Sequence, residues 1–136
     1  MNVRITVGSL RFTGRLESDR APKTCAAFLA RLPFRGTLVQ ARWSGEAAWI
    51  PLGDFDFGVM EENQLGAPAP GQLLLYPAGV SETEILFPYG ECRFASKHGP
   101  LAGNHFITIT GGADQLTTLG ERVLREGAQE IVFEEQ

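Results

Sequence analysis

From Val3 to Leu16 apolar and polar side chains alternate with a period of two, and the alternation breaks only at Gly8-Ser9. Val3, Ile5 and Val7 fall on one face of the first run, and Leu10, Phe12, Gly14 and Leu16 on one face of the second. A period of two is that of a strand with one buried face, and two such runs joined by a two-residue Gly-led turn form a hairpin. The chain thus begins as antiparallel sheet before any helix is possible. Gly14, inside the second run, predicts a bend or bulge where the sheet curls.

After one interruption the same pattern returns. Ser18-Asp19-Arg20-Ala21-Pro22 opens a helix, with Pro22 in its first turn, where a missing N–H costs nothing. Cys25, Phe28, Leu29 and Leu32 recur at helical spacing, and Pro33 stops the helix. Thr37 to Trp43, Ala48 to Pro51, Gln72 to Tyr76, Glu84 to Pro88, His105 to Thr110 and Glu130 to Glu134 read as strands, with Ser44-Gly45-Glu46 as the turn between the first two. Gly53 to Gly58 is pleated briefly at most, and the proline-rich Gly66 to Gly71 is a surface loop. Gly111-Gly112 ends a strand. Asp114 then caps a helix from Gln115 to about Glu126, with Leu116, Leu119, Val123 and Leu124 as its buried stripe and Gly127 after its end. Sixteen glycines and eight prolines supply the turns that many short strands need. The order fits a mainly β fold, a closed eight-stranded barrel capped by two α-helices, and the length suits one such domain over residues 1–136.

A net charge of −4 argues against nucleic acid and against an anionic membrane surface as partners. No apolar run is long enough to span a bilayer, and Met1 to Val7 alternates instead of forming a secretory core, so the expected location is cytoplasmic. Cys25 and Cys92 lie far apart in no CxxC pair and read as reduced thiols.

Three segments resemble cyclophilins. Ala21-Pro22-Lys23-Thr24-Cys25-Ala26-Ala27-Phe28-Leu29 is similar to the Pro-Lys-Thr helix opening of that family, with its Phe beyond. Arg42, in Val39-Gln40-Ala41-Arg42, stands near the separation from Gly53-Asp54-Phe55 that the family's catalytic Arg has from a Gly-Asp-Phe. Most specific is the segment from Phe94 to Thr108, containing Gly99-Pro100 and Gly103-Asn104-His105-Phe106-Ile107-Thr108. It is similar to the run in which Gly-Pro is followed by Gly-Ser-Gln-Phe-Phe-Ile-Thr. The last helix and strand also resemble the cyclophilin C-terminus, and the whole chain most resembles a bacterial family of short, uncharacterised cyclophilin-like proteins.

The resemblance implies the same capped eight-stranded barrel. It carries the isomerase site over poorly. Where cyclophilins place aromatic, Met and Gln side chains after the Arg, this chain has Gly45, Glu46, Ala47, Ala48 and Ile50. His105 replaces the pocket Gln and Ile107 the second pocket Phe, and the hairpin supplying a Trp and a His is missing. Arg42 is the one polar residue of that site that matches.

A guanidinium on a barrel face donates to an imide or clamps a carboxylate, whereas the plainer role for Arg42 is a surface ion pair with Glu46. By the resemblance His98 and His105, the only histidines, sit near one rim beside Ser96 and Lys97, where they can bind an anion or exchange protons. Otherwise His105 is a strand residue satisfied by backbone and His98 a solvated loop residue. Two histidines are too few for a zinc site, and no ligand spacing recruits Cys92, Asp54 or Asp56, so neither metal nor other cofactor is expected. No Gly-x-Ser-x-Gly turn supports a triad at Ser81 or Ser96, and Gly111-Gly112 lacks the companions of a phosphate loop.

Trp43, Trp49, Phe55, Phe57, Tyr76, Phe87 and Tyr89 suit core filling or interface anchors, with Trp49 and Phe57 placed for a pocket or a subunit contact. Glu61-Glu62 and Glu134-Glu135 read as solvated faces. The expectation is a small-molecule or peptide binder, its ligand anionic, with Arg42, Ser96, His98, His105 and Phe106 at a barrel-side groove. The alternatives are a divergent peptidyl-prolyl isomerase, with Arg42 catalytic against a rotation barrier of about 18–20 kcal/mol, and a homo-oligomeric structural module.

Overall fold

A computed structural model describes residues 1–136. In chain order the elements are β1 (Asn2–Val7), β2 (Leu10–Leu16), α1 (Pro22–Leu29), β3 (Phe34–Gln40), β4 (Gly45–Gly53), β5 (Gln64–Leu65), β6 (Gln72–Tyr76), β7 (Thr83–Cys92), β8 (Ala95–Ser96), β9 (Gly99–Pro100), β10 (Gly103–Gly111), α2 (Leu116–Arg125) and β11 (Gln129–Glu135). The opening hairpin forms as its alternation predicts: Val7 pairs with Leu10 across Gly8-Ser9, and Gly8 takes φ +59°.

Eight strands follow the order β2-β1-β11-β3-β4-β7-β6-β10, and β10 pairs back to β2 to close an antiparallel barrel. The short β5 extends one end of β10, and β8 and β9 form a separate two-stranded ribbon. Inward-facing residues such as Ile5, Phe12, Ile50, Ile85, Phe87 and Phe133 fill the interior. Phe28 of α1 plugs one end, with ring centroids 5.4, 5.1 and 5.0 Å from Phe34, Phe106 and Phe133. At the other end α2 buries Leu116, Leu119 and Val123.

A second apolar cluster lies on the outer face. Strand alternation sends Ala48, Ile50, Leu73, Leu75, Ile85 and Phe87 inward, and Ala47, Trp49, Leu74, Tyr76 and Leu86 outward. The outward set is covered by Phe94 and Leu101, which flank the β8–β9 ribbon. Leu73-Leu74-Leu75 is therefore apolar on both faces.

Several sequence expectations are corrected. Gly14 keeps β2 in one register with β1, but its pairing with β10 is irregular, the extra residue lying on β10 opposite Gly14 and Thr13, and a Cβ at Gly14 would come within 2.6 Å of Ile107 Cγ2. The irregularities lie in β10, between His105 and Ile107 and between Ile109 and Gly111. β3 begins and ends three residues before the expected Thr37 to Trp43, and the turn to β4 is 41–44 instead of 44–46. Gln40 closes it, its side-chain amide donating to the carbonyls of Ala41 and Gly45, while Ala41 N–H donates to Ala47.

α1 stops at Leu29, ahead of Pro33, and has no side-chain N-cap from its own first residues. Glu62 accepts the Thr24 N–H at 2.6 Å instead, so Glu62 stabilises a helix start and is no solvated-face residue. Asp114 does not cap α2. Leu124 is 60% exposed, because the buried stripe runs through Leu116, Leu119, Gly120 and Val123, and the ring of Tyr89 occupies the space where a side chain at Gly120 would lie. Cys25 and Cys92 are unpaired and buried. No helix is long and apolar enough to cross a membrane.

Candidate functional site

A cavity of about 330 Å³ opens on the outer face of the barrel. Its floor comes from neighbouring strands. On β4 Trp49 pairs with Leu86 and Pro51 with Glu84, so Trp49 and Glu84 share the outward face. The walls are the β3–β4 loop with Arg42, Trp43 and Ser44, the turn before β7 with Val80, Ser81 and Glu82, and the ribbon segment Ala95 to His98.

Each wall is fastened by hydrogen bonds. Ser44 Oγ donates to the Ala95 carbonyl at 3.2 Å and accepts the Ala95 N–H at 3.1 Å, while Arg93 N–H donates to the Ser44 carbonyl. Tyr76 Oη accepts the N–H groups of Val80 at 3.0 Å and Ser81 at 3.4 Å, holding that turn over the barrel face. Ser96 Oγ accepts the His98 N–H at 3.1 Å, which shapes the Lys97-His98 turn.

The charged groups of the cavity do not pair with one another. Arg42 and Lys97 have no carboxylate partner, the protein's two ion pairs being Arg15–Glu17 and Arg35–Glu130. The expected Arg42–Glu46 pair is absent. Glu46 instead accepts the Glu91 N–H at 2.8 Å. On the floor Glu84 is 6% exposed, seated between Pro51 and Tyr76 on the flanking strands. Burial, aided by the Glu82 charge, pushes its carboxyl up to about 8, so near neutral pH it is largely protonated.

The structure brings Arg42, Ser96 and His98 to one cavity, with Lys97 between the last two. It does not bring His105 or Phe106 there. Arg42 itself sits on a loop and is exposed, not on a strand face as expected. His105 is buried in β10, its Nε2 2.8 Å from Thr108 Oγ1, and the Thr108 hydroxyl donates to Glu17 at 2.6 Å. With the hydroxyl proton used on Glu17, Nε2–H is the donor to Thr108. Burial lowers the His105 pKa, opposed by the Glu17 charge, and keeps the ring neutral. Phe106 is fully buried against Phe28, because the β10 irregularity turns Phe106 and Ile107 both into the interior.

Of the aromatics placed for a pocket, Trp49 lines this cavity, whereas Phe57 is core, packed on Phe28 and Phe34. No three His, Cys, Asp or Glu side chains converge as metal ligands do. Sequence reading missed Glu84 and Glu82. The signal for Glu84 was a carboxylate on the same strand face as Leu86, within a run otherwise apolar on both faces.

The family model described as "Protein of unknown function (DUF3830)" matches residues 3–134. No curated protein matches the sequence. Among solved structures the chain is similar to McbB in complex with tryptophan, at 15% identity and a TM-score of 0.79, covering 98% of this chain and 44% of that one. It is also similar to the hypothetical protein AF2241 from Archaeoglobus fulgidus, at 19% identity and a TM-score of 0.59, covering 100% and 95%. The chain thus spans less than half the length of McbB. At these identities the likeness is one of fold.

Proposed function

The chain belongs to DUF3830, a family of unknown function, with a cyclophilin-like closed barrel, and we propose that it binds a small carboxylate-bearing molecule in the outer-face cavity. Arg42, Lys97 and His98 are the groups facing the anion, and Ser96 stands beside them. The observation carrying this reading is that two cations from separate segments, neither neutralised by a carboxylate of the protein, line one cavity.

A guanidinium grips a carboxylate through two parallel bonds, and hydrogen bonds to charged groups contribute about 1.5–3 kcal/mol each. The volume of about 330 Å³ lies at the small end of the roughly 300–1,000 Å³ of ligand pockets, which favours a small molecule over a peptide. Trp43 and Trp49 supply ring surface for an apolar or aromatic portion. McbB was solved with tryptophan, a carboxylate bearing an aromatic ring, which supports the same class of ligand. Prolyl isomerisation has less support, because Phe106 and Ile107 serve the barrel interior instead of an apolar pocket beside Arg42.

Calorimetric titration with phenylpropionate tests the reading. Saturable binding is expected, weakened about tenfold or more in Arg42→Ala. Equal binding by both proteins, or none by the wild type, overturns it.

A further inference from the structure

The cavity holds charges of both signs that do not pair with each other. Arg42 and Lys97 line it, and so do Glu82 and Glu84, yet none of these four takes part in an ion pair. Glu84 is the more telling of the two acids. It is more than nine-tenths buried, it opens to the cavity, and no group of the protein donates a hydrogen bond to its carboxyl. No buried side-chain oxygen of the protein is sealed off without a partner, so what remains accessible of Glu84 is its carboxyl, open to whatever enters the cavity.

We propose that the cavity recognises a zwitterion, a small molecule carrying both an amine and a carboxylate, whose ammonium is received by Glu84 with Glu82 alongside while its carboxylate meets Arg42 and Lys97. This rests on the carboxylate-binding reading above and names the second charge that the ligand carries. Receiving an ammonium sends the Glu84 proton to solvent: the carboxylate left behind accepts from the ammonium's donors, and the ammonium charge offsets that of Glu84 and of Glu82 beside it. Arginine and lysine cannot play this part for Glu84, because loop and ribbon hold them beyond ion-pair distance. Separated charges of opposite sign, over a tryptophan floor, match the two ends of an amino-acid-like molecule with an apolar side chain.

Three probes of one skeleton separate the contributions: phenylalanine with both charges, phenylpropionate without the amine, and phenethylamine without the carboxylate. In the wild type phenylalanine binds at least tenfold tighter than either of the others. In Glu84→Gln, a neutral replacement of the same shape, that preference over phenylpropionate disappears while phenylpropionate binding is kept. Equal affinity of the wild type for phenylalanine and phenylpropionate overturns the proposal, as does a preference that survives in Glu84→Gln. Should Glu84→Gln fail to fold, the three wild-type affinities decide the question alone. Phenylpropionate binding that depends on Arg42, with no gain from the amine, sinks the zwitterion and leaves the carboxylate reading standing. Loss of binding to every probe sinks both.

Discussion

Ser44 and Ala95 hold each other through a reciprocal pair of hydrogen bonds, the Ser44 hydroxyl donating to the Ala95 carbonyl at 3.2 Å and accepting its N–H at 3.1 Å. One hydroxyl thereby joins the loop carrying Arg42 and Trp43 to the ribbon carrying Ser96, Lys97 and His98. Ser44 is buried, and the Ala95 it holds is half-buried at the cavity wall. Ser44→Ala removes both bonds from the half-buried Ala95, a loss of about 1–2 kcal/mol. Urea denaturation reads that loss, and phenylpropionate binding weakens with it because two walls of the cavity come apart. An unchanged midpoint would show that the two segments are held by other contacts.

Phe28 is the largest buried side chain that α1 sends into the barrel end, packed on Phe34, Phe106 and Phe133 at once. Truncating a fully buried phenylalanine removes both transfer free energy and packing, so Phe28→Ala is expected to destabilise by about 3–5 kcal/mol. Phe55, which stacks on the rim against Phe57 and is partly exposed, should tolerate the same change with a far smaller loss. Thermal melts of the two variants give the comparison.

The register of α2 makes a sharper contrast. Val123 is buried and its neighbour Leu124 is 60% exposed. Leu124→Lys should shift stability by no more than about 0.5 kcal/mol, as surface changes do. Val123→Lys places an unpaired ammonium in the core and should unfold the protein or lower its melting temperature severely. Similar melting temperatures for the two variants would mean that the helix is rotated from the orientation described.

That pair also shows where the sequence was legible. Alternation at Val3, Ile5 and Val7, and again at Ile131 and Phe133, reports the inward face directly, so these strands and their buried sides follow from pattern. Leu124 was misjudged because leucine is the stronger apolar signal, while the stripe passes through Gly120, whose missing side chain is what admits Tyr89. Phe106 was misjudged because an irregularity in β10 shifts which residues face inward, and local composition carries no mark of it. The gathering of Arg42, Ser96 and His98 at one cavity agrees with the place the resemblance implies for them, since the loop and the ribbon that carry them sit over the same barrel face. Glu84 was not legible, because its burial between Pro51 and Tyr76 follows from strand pairing, which the local sequence does not carry.

His105 gives a pH prediction of one sign. Its folded pKa lies below the ordinary value of 6.5 because burial disfavours the charged ring. Unfolding therefore takes up a proton once the pH falls below 6.5, and stability conferred by the neutral ring is lost from there downward. His105→Gln, which can still donate to Thr108, should flatten this part of the profile below pH 6.5. A profile unchanged in the variant would place the acid sensitivity elsewhere.

Glu84 gives a prediction of the opposite sense. Burial raises its carboxyl from an ordinary 4.5 to about 8, so the folded protein holds a proton that the unfolded chain releases over that interval. With fewer protons bound on unfolding, stability falls as pH rises from about 4.5, and the decline levels off above about 8. At about 1.4 kcal/mol per pH unit, the loss across the interval is on the order of 2–5 kcal/mol. Glu84→Gln has no proton to lose. The variant should match the wild type near pH 4.5 and exceed it increasingly toward pH 8.5, and the difference between the two curves cancels every other titrating group. Denaturant midpoints at several pH values measure this. A difference that stays flat from pH 5 to 9 would mean that Glu84 ionises as freely as a surface carboxylate. An amine bound in the cavity should act in the same direction as the substitution, restoring at pH 8 the stability that the unpaired carboxylate removes.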